Sequence, residues 1–184
     1  MSERVVFSHT IEGLFVQALG ARVTPELKAR LKSAGLNLDA KLLPAYPFEV
    51  WMKVLELTCQ ALFPDLPTDQ AMFRVGESFL DGYQHTFLGR AVLGMIRVLG
   101  PRRTLLRSTQ NFRSGNNYTE TKITEVDVNI IDLWMNEVGP WPTFTAGIIH
   151  AALKAAGAEP RIDILDHDGH ACTYRVSWAT PKKA

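Results

Sequence analysis

The chain has 184 residues, a hydrophobic fraction of 46% and a formal charge of +1, which is enough length and apolar content to bury one core in a single domain spanning 1–179. Near-neutral balance argues against a nucleic-acid coat and against a membrane-surface protein, and no apolar run approaches the ~18 residues of a membrane span. Two cysteines, Cys59 and Cys172, sit in apolar contexts without paired spacing. They read as free core thiols, and with nothing resembling a signal peptide at the N-terminus, a cytoplasmic protein is expected.

Arg4-Val5-Val6-Phe7 reads as a short strand or extended lead-in, followed by a helix from Thr10 to Leu19 closed by Gly20. Thr24-Pro25-Glu26 combines a hydroxyl cap, a first-turn proline and an acid at the positive end of the helix dipole, so it starts a helix that Gly35 ends. Leu36 to Pro47 reads as an ordered apolar connection. Val50, Trp51, Val54, Leu55, Leu57 and Leu62 then make Phe48 to Phe63 a largely buried helix.

The stretch from Thr68 to Tyr118 is the expected spine. Arg74, Glu77, Ser78, Asp81 and His85 recur as one polar face, leaving Met72, Val75, Phe79, Tyr83 and Phe87 on the other. Residues 87–99 are apolar nearly all round, which predicts a helix packed on several sides. Gly100-Pro101 should end it, since proline disfavours helical geometry in the preceding residue and can begin the next helix. Beyond Arg113, Ser114-Gly115-Asn116-Asn117 is turn chemistry. Tyr118 to Asp127 and Val128 to Glu137 read as extended runs, Thr143 to Ala156 as a close-packing helix ended by Gly157, and 161–166 with 171–178 as a terminal hairpin turning at Asp168-Gly169. Cys172, Tyr174, Val176 and Trp178 alternate with polar residues and define one core face. The order predicts an α+β fold, a helical half followed by a mainly antiparallel sheet of about four strands, with one long helix before the C-terminal hairpin. Residues 180–184 read as a loose tail.

Gly35-Leu36-Asn37-Leu38 with Pro44-Ala45-Tyr46-Pro47, then Gly89-Arg90-Ala91, Leu99-Gly100-Pro101-Arg102-Arg103 and Asn111-Phe112-Arg113-Ser114-Gly115-Asn116-Asn117-Tyr118, resemble an uncharacterised paralogous family of short proteins found in myxobacteria. The resemblance runs through nearly the whole chain. It implies little about chemistry, because that family is a domain of unknown function. At the level of element order, the helix followed by a terminal hairpin is similar to the small-molecule-sensing fold of four-vinyl reductase, heme nitric-oxide-binding and trafficking-complex (TRAPP) domains, an analogy that does not establish function. The heme branch's Tyr-x-Ser-x-Arg signature is absent, since Tyr174-Arg175-Val176-Ser177-Trp178 has a different order, and no cofactor is expected.

Six arginines, Arg90, Arg97, Arg102, Arg103, Arg107 and Arg113, fall in one region that contains no lysine. Guanidinium binds carboxylate or phosphate in bidentate fashion and stacks on flat rings. With Tyr118 and Phe112 as a stacking surface, the six arginines form a candidate anion site; Arg90, Gly94 and Arg97 share a helical face on which Gly94 leaves a notch. The competing structural role is pairing with Glu77, Asp81, Glu120, Glu125 or Asp127. Asp166, His167, Asp168 and His170 straddle a turn and read as hairpin chemistry rather than a metal site. Cys59 has no base placed beside it, and His150 reads as a core or interface histidine. No phosphate loop, Ser-His-Asp order or metalloprotease motif is present, so a binding module is expected rather than an enzyme. Its ligand is a small anionic molecule at the arginines or an apolar one between helices and sheet, with the output passed to a protein partner. The alternative is a structural interaction domain, a homodimer built on exposed Trp134, Trp141 and Phe144.

Overall fold

The computed structural model describes residues 3–179, so the expected tail at 180–184 lies outside the described residues. Strand β1 (Val5–Phe7) pairs antiparallel with β2 (Ala45–Pro47), Val6 opposite Tyr46. The second strand falls within the segment expected to be a plain connection: three residues ending in a proline carry no period, and only the long-range pairing with β1 makes them a strand. Helix α1 starts as a single turn at Ser8–Ile11 and continues as a π-helical stretch, Glu12–Ala18, in place of the regular helix expected over 10–19. The π stretch passes where a Cβ on Gly82 would meet the Gly13 carbonyl oxygen at 1.9 Å, so two backbones touch there. Helix α2 (Pro25–Ser33) has its predicted cap, with Thr24 Oγ1 accepting from the Leu27 amide at 3.2 Å.

Helix α3 (Phe48–Leu62) buries Trp51, Val54, Leu55 and Cys59, and α4 (Thr68–Tyr83) buries Met72, Val75, Phe79 and Tyr83. Gln84 to Thr86 interrupts the helical phase before α5 (Phe87–Leu106), whose start is capped by Thr86 Oγ1 accepting from the Gly89 amide at 3.0 Å. As a result Phe87 is 85% exposed instead of continuing the Phe79–Tyr83 face. Nor is 87–99 packed all round: Leu93 and Ile96 are buried, while Val98 is 86% exposed. The expected break stands at Gly100, with φ 73° and ψ 175°, and Pro101 restarts the helix. A short α6 (Ser108–Arg113) follows.

Strands β3 (Thr121–Asp127), β4 (Ile130–Met135), β5 (Glu159–His167) and β6 (Cys172–Ala179) form an antiparallel sheet in the order β3-β4-β6-β5. Between β4 and β5 runs α7 (Pro142–Ala155). The hairpin tip is four residues, 168–171, rather than two, because Asp168 caps it: its Oδ1 accepts from the amides of His170 at 2.8 Å and Ala171 at 2.7 Å. Those two bonds hold the Asp168 carboxyl below the usual range. The inner face of β6 is the predicted one, with Cys172, Tyr174, Val176 and Trp178 buried, and Tyr174 donates to the Pro142 carbonyl at 2.9 Å. On the outer face Arg175 grips Asp132 through two 2.8 Å bonds, and Lys122 lies over the Trp134 ring.

Two apolar clusters result, one among the helices and one between the sheet and α7. Helix α7 is their shared wall. Phe144, Ile148 and Ala152 face the helical cluster, while Ala146, Ile149 and Leu153 face the sheet. Among the described residues, no helix is long and apolar enough to cross a membrane.

Candidate functional site

A cavity of about 120 Å³ lies at the seam between the two clusters. Trp51, Phe79, Leu80, Ile96 and Phe144 reach it from the helical side, Met135 and Val138 from the sheet side, and Ala152 from the shared wall. Cavities collect at such seams because two separately packed cores rarely interdigitate to full density where they meet.

Most of the polar part of the wall comes from α6 and the loop after it, with Thr10 of α1, Tyr83 of α4, Thr145 of α7 and Glu137 of the loop before α7. Asn116 closes a turn through its Oδ1, which accepts from the Tyr118 amide at 3.1 Å and the Thr119 amide at 2.9 Å. Thr10 donates to the Gly115 carbonyl at 3.0 Å, and Tyr83 shares a 3.1 Å bond with Ser114 Oγ. Each of these groups is spent on another protein group. The Tyr118 hydroxyl has no hydrogen-bond partner among the described residues, while its ring packs edge-on against Phe48 at 5.1 Å. Burial pushes the Tyr118 phenol well up and the nearby Glu137 carboxylate adds to this, against a smaller opposing effect of Arg4. Burial likewise raises Tyr83. Both phenols therefore stay protonated and act as hydroxyls.

Glu137 is the one lining residue with a formal charge. It is 7% exposed and is held by Arg4, by the Gly139 amide at 3.0 Å and by His170 Nδ1 at 3.3 Å. A carboxylate in the wall opposes an anionic ligand here. Nothing in the sequence marked Glu137, because its burial depends on Arg4, 133 positions away.

None of the six arginines lines the cavity. Arg90 and Arg97 are on the exposed side of α5, where Arg90 donates to the His85 carbonyl at 3.2 Å and Arg97 to Gln84 Oε1 at 3.5 Å. Arg102 pairs with Glu125, its Nε 2.8 Å from Oε2, and Arg113 donates to the Thr119 carbonyl at 2.9 Å with Glu120 3.6 Å away. Arg103 and Arg107 are exposed and have no side-chain partner among the described residues. Of the seven residues singled out as ligand-binding, only Tyr118 reaches the cavity.

The other candidates have structural roles. Burial pushes the Cys59 thiol up to about 12, and its Sγ lies 3.3 Å from Met72 Sδ, so it is no nucleophile. His150 Nδ1 is 2.9 Å from Glu77 Oε1 but out of hydrogen-bonding line, with its ring against Phe73 at 5.4 Å. His167 bonds the Gly139 carbonyl at 2.9 Å. Phe144 is buried against Trp51 at 5.8 Å, and both Trp134 and Trp141 are half-buried, so the exposed aromatic surface proposed for a homodimer does not exist as such.

This arrangement, helices over an antiparallel sheet with a cavity between, is the fold of H-NOX domains. The chain superposes on an Fe(II) unliganded H-NOX protein from K. algicida with a TM-score of 0.68 at 12% identity, covering 96% of this chain and 97% of that one. It superposes on an H-NOX protein from S. oneidensis in the Fe(II)NO ligation state with a TM-score of 0.73 at 10% identity, covering 95% and 99%. An oxygen-binding H-NOX domain related to soluble guanylate cyclases gives 0.67 at 14% identity, covering 97% and 98%. Identity at this level shows a shared fold. By sequence, the chain belongs to the family described as protein of unknown function (DUF2378), whose model matches residues 4–179. No curated protein matches the sequence.

Proposed function

We propose that the protein is a non-enzymatic ligand-sensing module that takes a small, uncharged, mainly apolar molecule into the seam cavity without heme. The observation that carries this reading is the cavity itself: about 120 Å³ of space walled by buried apolar side chains, with the unpartnered Tyr118 hydroxyl as a donor. An apolar space of roughly 150 Å³ holds benzene, and at about 120 Å³ this one is somewhat smaller, so it suits a ligand no larger than benzene, such as a short-chain alcohol whose oxygen accepts from Tyr118. Its position supports a sensing role, because filling it stiffens the contact between the helical and sheet clusters.

One similar solved structure concerns modulating heme redox potential through protein-induced porphyrin distortion, and the wall residues of this cavity bear on whether heme could sit here. The cavity falls well below the ~300 Å³ at which cofactor pockets begin. No histidine or cysteine lines it. The phenols that do, Tyr83 and Tyr118, are held protonated by burial, whereas an iron ligand must give up its proton. These residues do not fit heme.

The test is a thermal-shift and ligand-observed NMR series with benzene, indole, cyclohexanol and butanol, and with hemin as comparison. A stabilising small ligand is expected, raising the unfolding free energy by about 2.7 kcal/mol when free ligand exceeds Kd a hundredfold. Ala152→Leu, which fills the wall, should abolish that shift while the protein stays folded, and Tyr118→Phe should weaken the alcohols more than benzene. Stoichiometric hemin binding with a sharp coordinated spectrum, or no shift with any of the four probes, would overturn the reading.

A further inference from the structure

Helix α5 carries an unpartnered seam on its outer side. Phe87, Ala91, Gly94 and Val98 follow the alternating four-three spacing of a coiled-coil stripe, and all four face solvent. Phe87 and Val98 are 85% and 86% exposed, among the most exposed large apolar side chains of the described residues, and Met95 beside them is 42% exposed. A Cβ built on Gly94 meets nothing within 4 Å. The stripe therefore has a ridge at each end and a notch in its middle, into which a second helix can bring its backbone close.

The flanks are cationic. Arg90 and Arg97 occupy successive positions immediately before Ala91 and Val98, where charge selects the partner in helix pairing. From 86 to 119 the chain has six arginines and no aspartate or glutamate. Glu77 and Asp81 of α4 border a shallow depression with Arg97 and with Lys154 of α7; Glu77 is already engaged by Arg74. A second copy of α5 would bring no carboxylate to Arg90 and Arg97. A lipid surface would gain little from a stripe whose middle holds glycine and alanine, which offer little apolar surface to insert.

We infer that the outer face of α5 is a docking site for an amphipathic helix of a partner protein, with an apolar stripe flanked by glutamate or aspartate. One helix of this length buries less than a standard interface, so the complex is weak and exchangeable. The surface stands on its own residues and does not require the cavity to be filled. The same helix presents Val92 and Ile96 to the cavity on its inner side, which places ligand and partner on opposite faces of one element.

The experiment titrates the full chain with two fluorescein-labelled designed helical peptides, leucine at the stripe positions and glutamate or lysine at the flanks, read by anisotropy. Vesicles of equal phosphatidylcholine and phosphatidylglycerol are the lipid arm. The glutamate peptide is expected to bind at roughly micromolar to submillimolar concentration and to lose about tenfold or more against R90E/R97E. The lysine peptide should bind that double variant better than the unaltered protein. Gly94→Leu, in open space, should block the glutamate peptide without lowering the melting temperature, and R90Q/R97Q gives a milder loss should the charge reversal perturb folding. Equal binding of both peptides, no binding at about millimolar glutamate peptide, or vesicle binding that the same substitutions abolish more strongly would each overturn the assignment.

Discussion

Glycine has opposite meanings at two places in this molecule. A Cβ on Gly76 would lie 2.1 Å from the Phe144 carbonyl oxygen, and one on Gly147 would lie 2.2 Å from that of Phe73, so α4 and α7 cross backbone to backbone. Gly76→Ala and Gly147→Ala are expected to lower unfolding free energy by about 1–3 kcal/mol or more, because backbone rather than a flexible side chain has to move. Gly94→Ala, in open space on a helix, should gain up to about 0.5–1 kcal/mol, and urea titrations of the three variants decide it. The buried thiols make a second prediction at this scale. Cys59 is pushed up to about 12 and Cys172 to about 11, both chiefly by burial, from an ordinary 9.0. Between pH 9 and 11 the unfolded chain releases protons that the native chain keeps, so stability is complete below pH 9 and falls as pH rises. The slope approaches about 1.4 kcal/mol per pH unit for each thiol. Denaturation followed from pH 8 to 10.5 should show this fall, and Cys59→Ala should make it shallower.

Among the elements, the break in α5 is the clearest local device. Gly100, at φ 73° and ψ 175°, occupies a region essentially closed to other residues, so Gly100→Ala should cost about 1–3 kcal/mol although a Cβ there would touch nothing. An unchanged melting temperature would show that the chain straightens through this point at no expense. This break was legible in Gly100-Pro101, as were the start of α2 in Thr24-Pro25 and the end of α7 in Gly157, because each signal acts through its own dihedral angles. What was not legible depends on distant partners. Strand β2 exists only through its pairing with β1, the π stretch of α1 lies where Gly13 meets Gly82, and Phe87 departs from the Phe79–Tyr83 face because Gln84 to Thr86 shift the helical phase. The β6 face was readable because a period of two survives within a single strand.

Over the whole molecule, a cavity is an absence of atoms bounded by side chains from both ends of the chain, so Tyr118 could be picked out by type while the space beside it could not. Arg4 and Glu137 show the same dependence. Arg4 lies over the Phe48 ring at 4.5 Å, reaches Glu49 at 3.1 Å and pairs with Glu137, tying β1 to the loop before α7 beside the cavity. Glu137 is buried, and Arg4 is its only strongly basic partner among the described residues. Arg4→Met therefore leaves a buried carboxylate held by one amide and by His170, which is itself mostly exposed. Removing one partner of a fully buried pair costs about 3–5 kcal/mol, but the Arg4 side chain is 39% exposed and solvent screens it, so about 1–2 kcal/mol is expected. Glu137→Gln keeps the amide contact and removes the stranded charge, so the double variant Arg4→Met/Glu137→Gln should be more stable than Arg4→Met alone. Urea unfolding of the four proteins yields the coupling directly. A coupling indistinguishable from zero would mean that the ion pair is incidental to the seam where the ligand is proposed to sit.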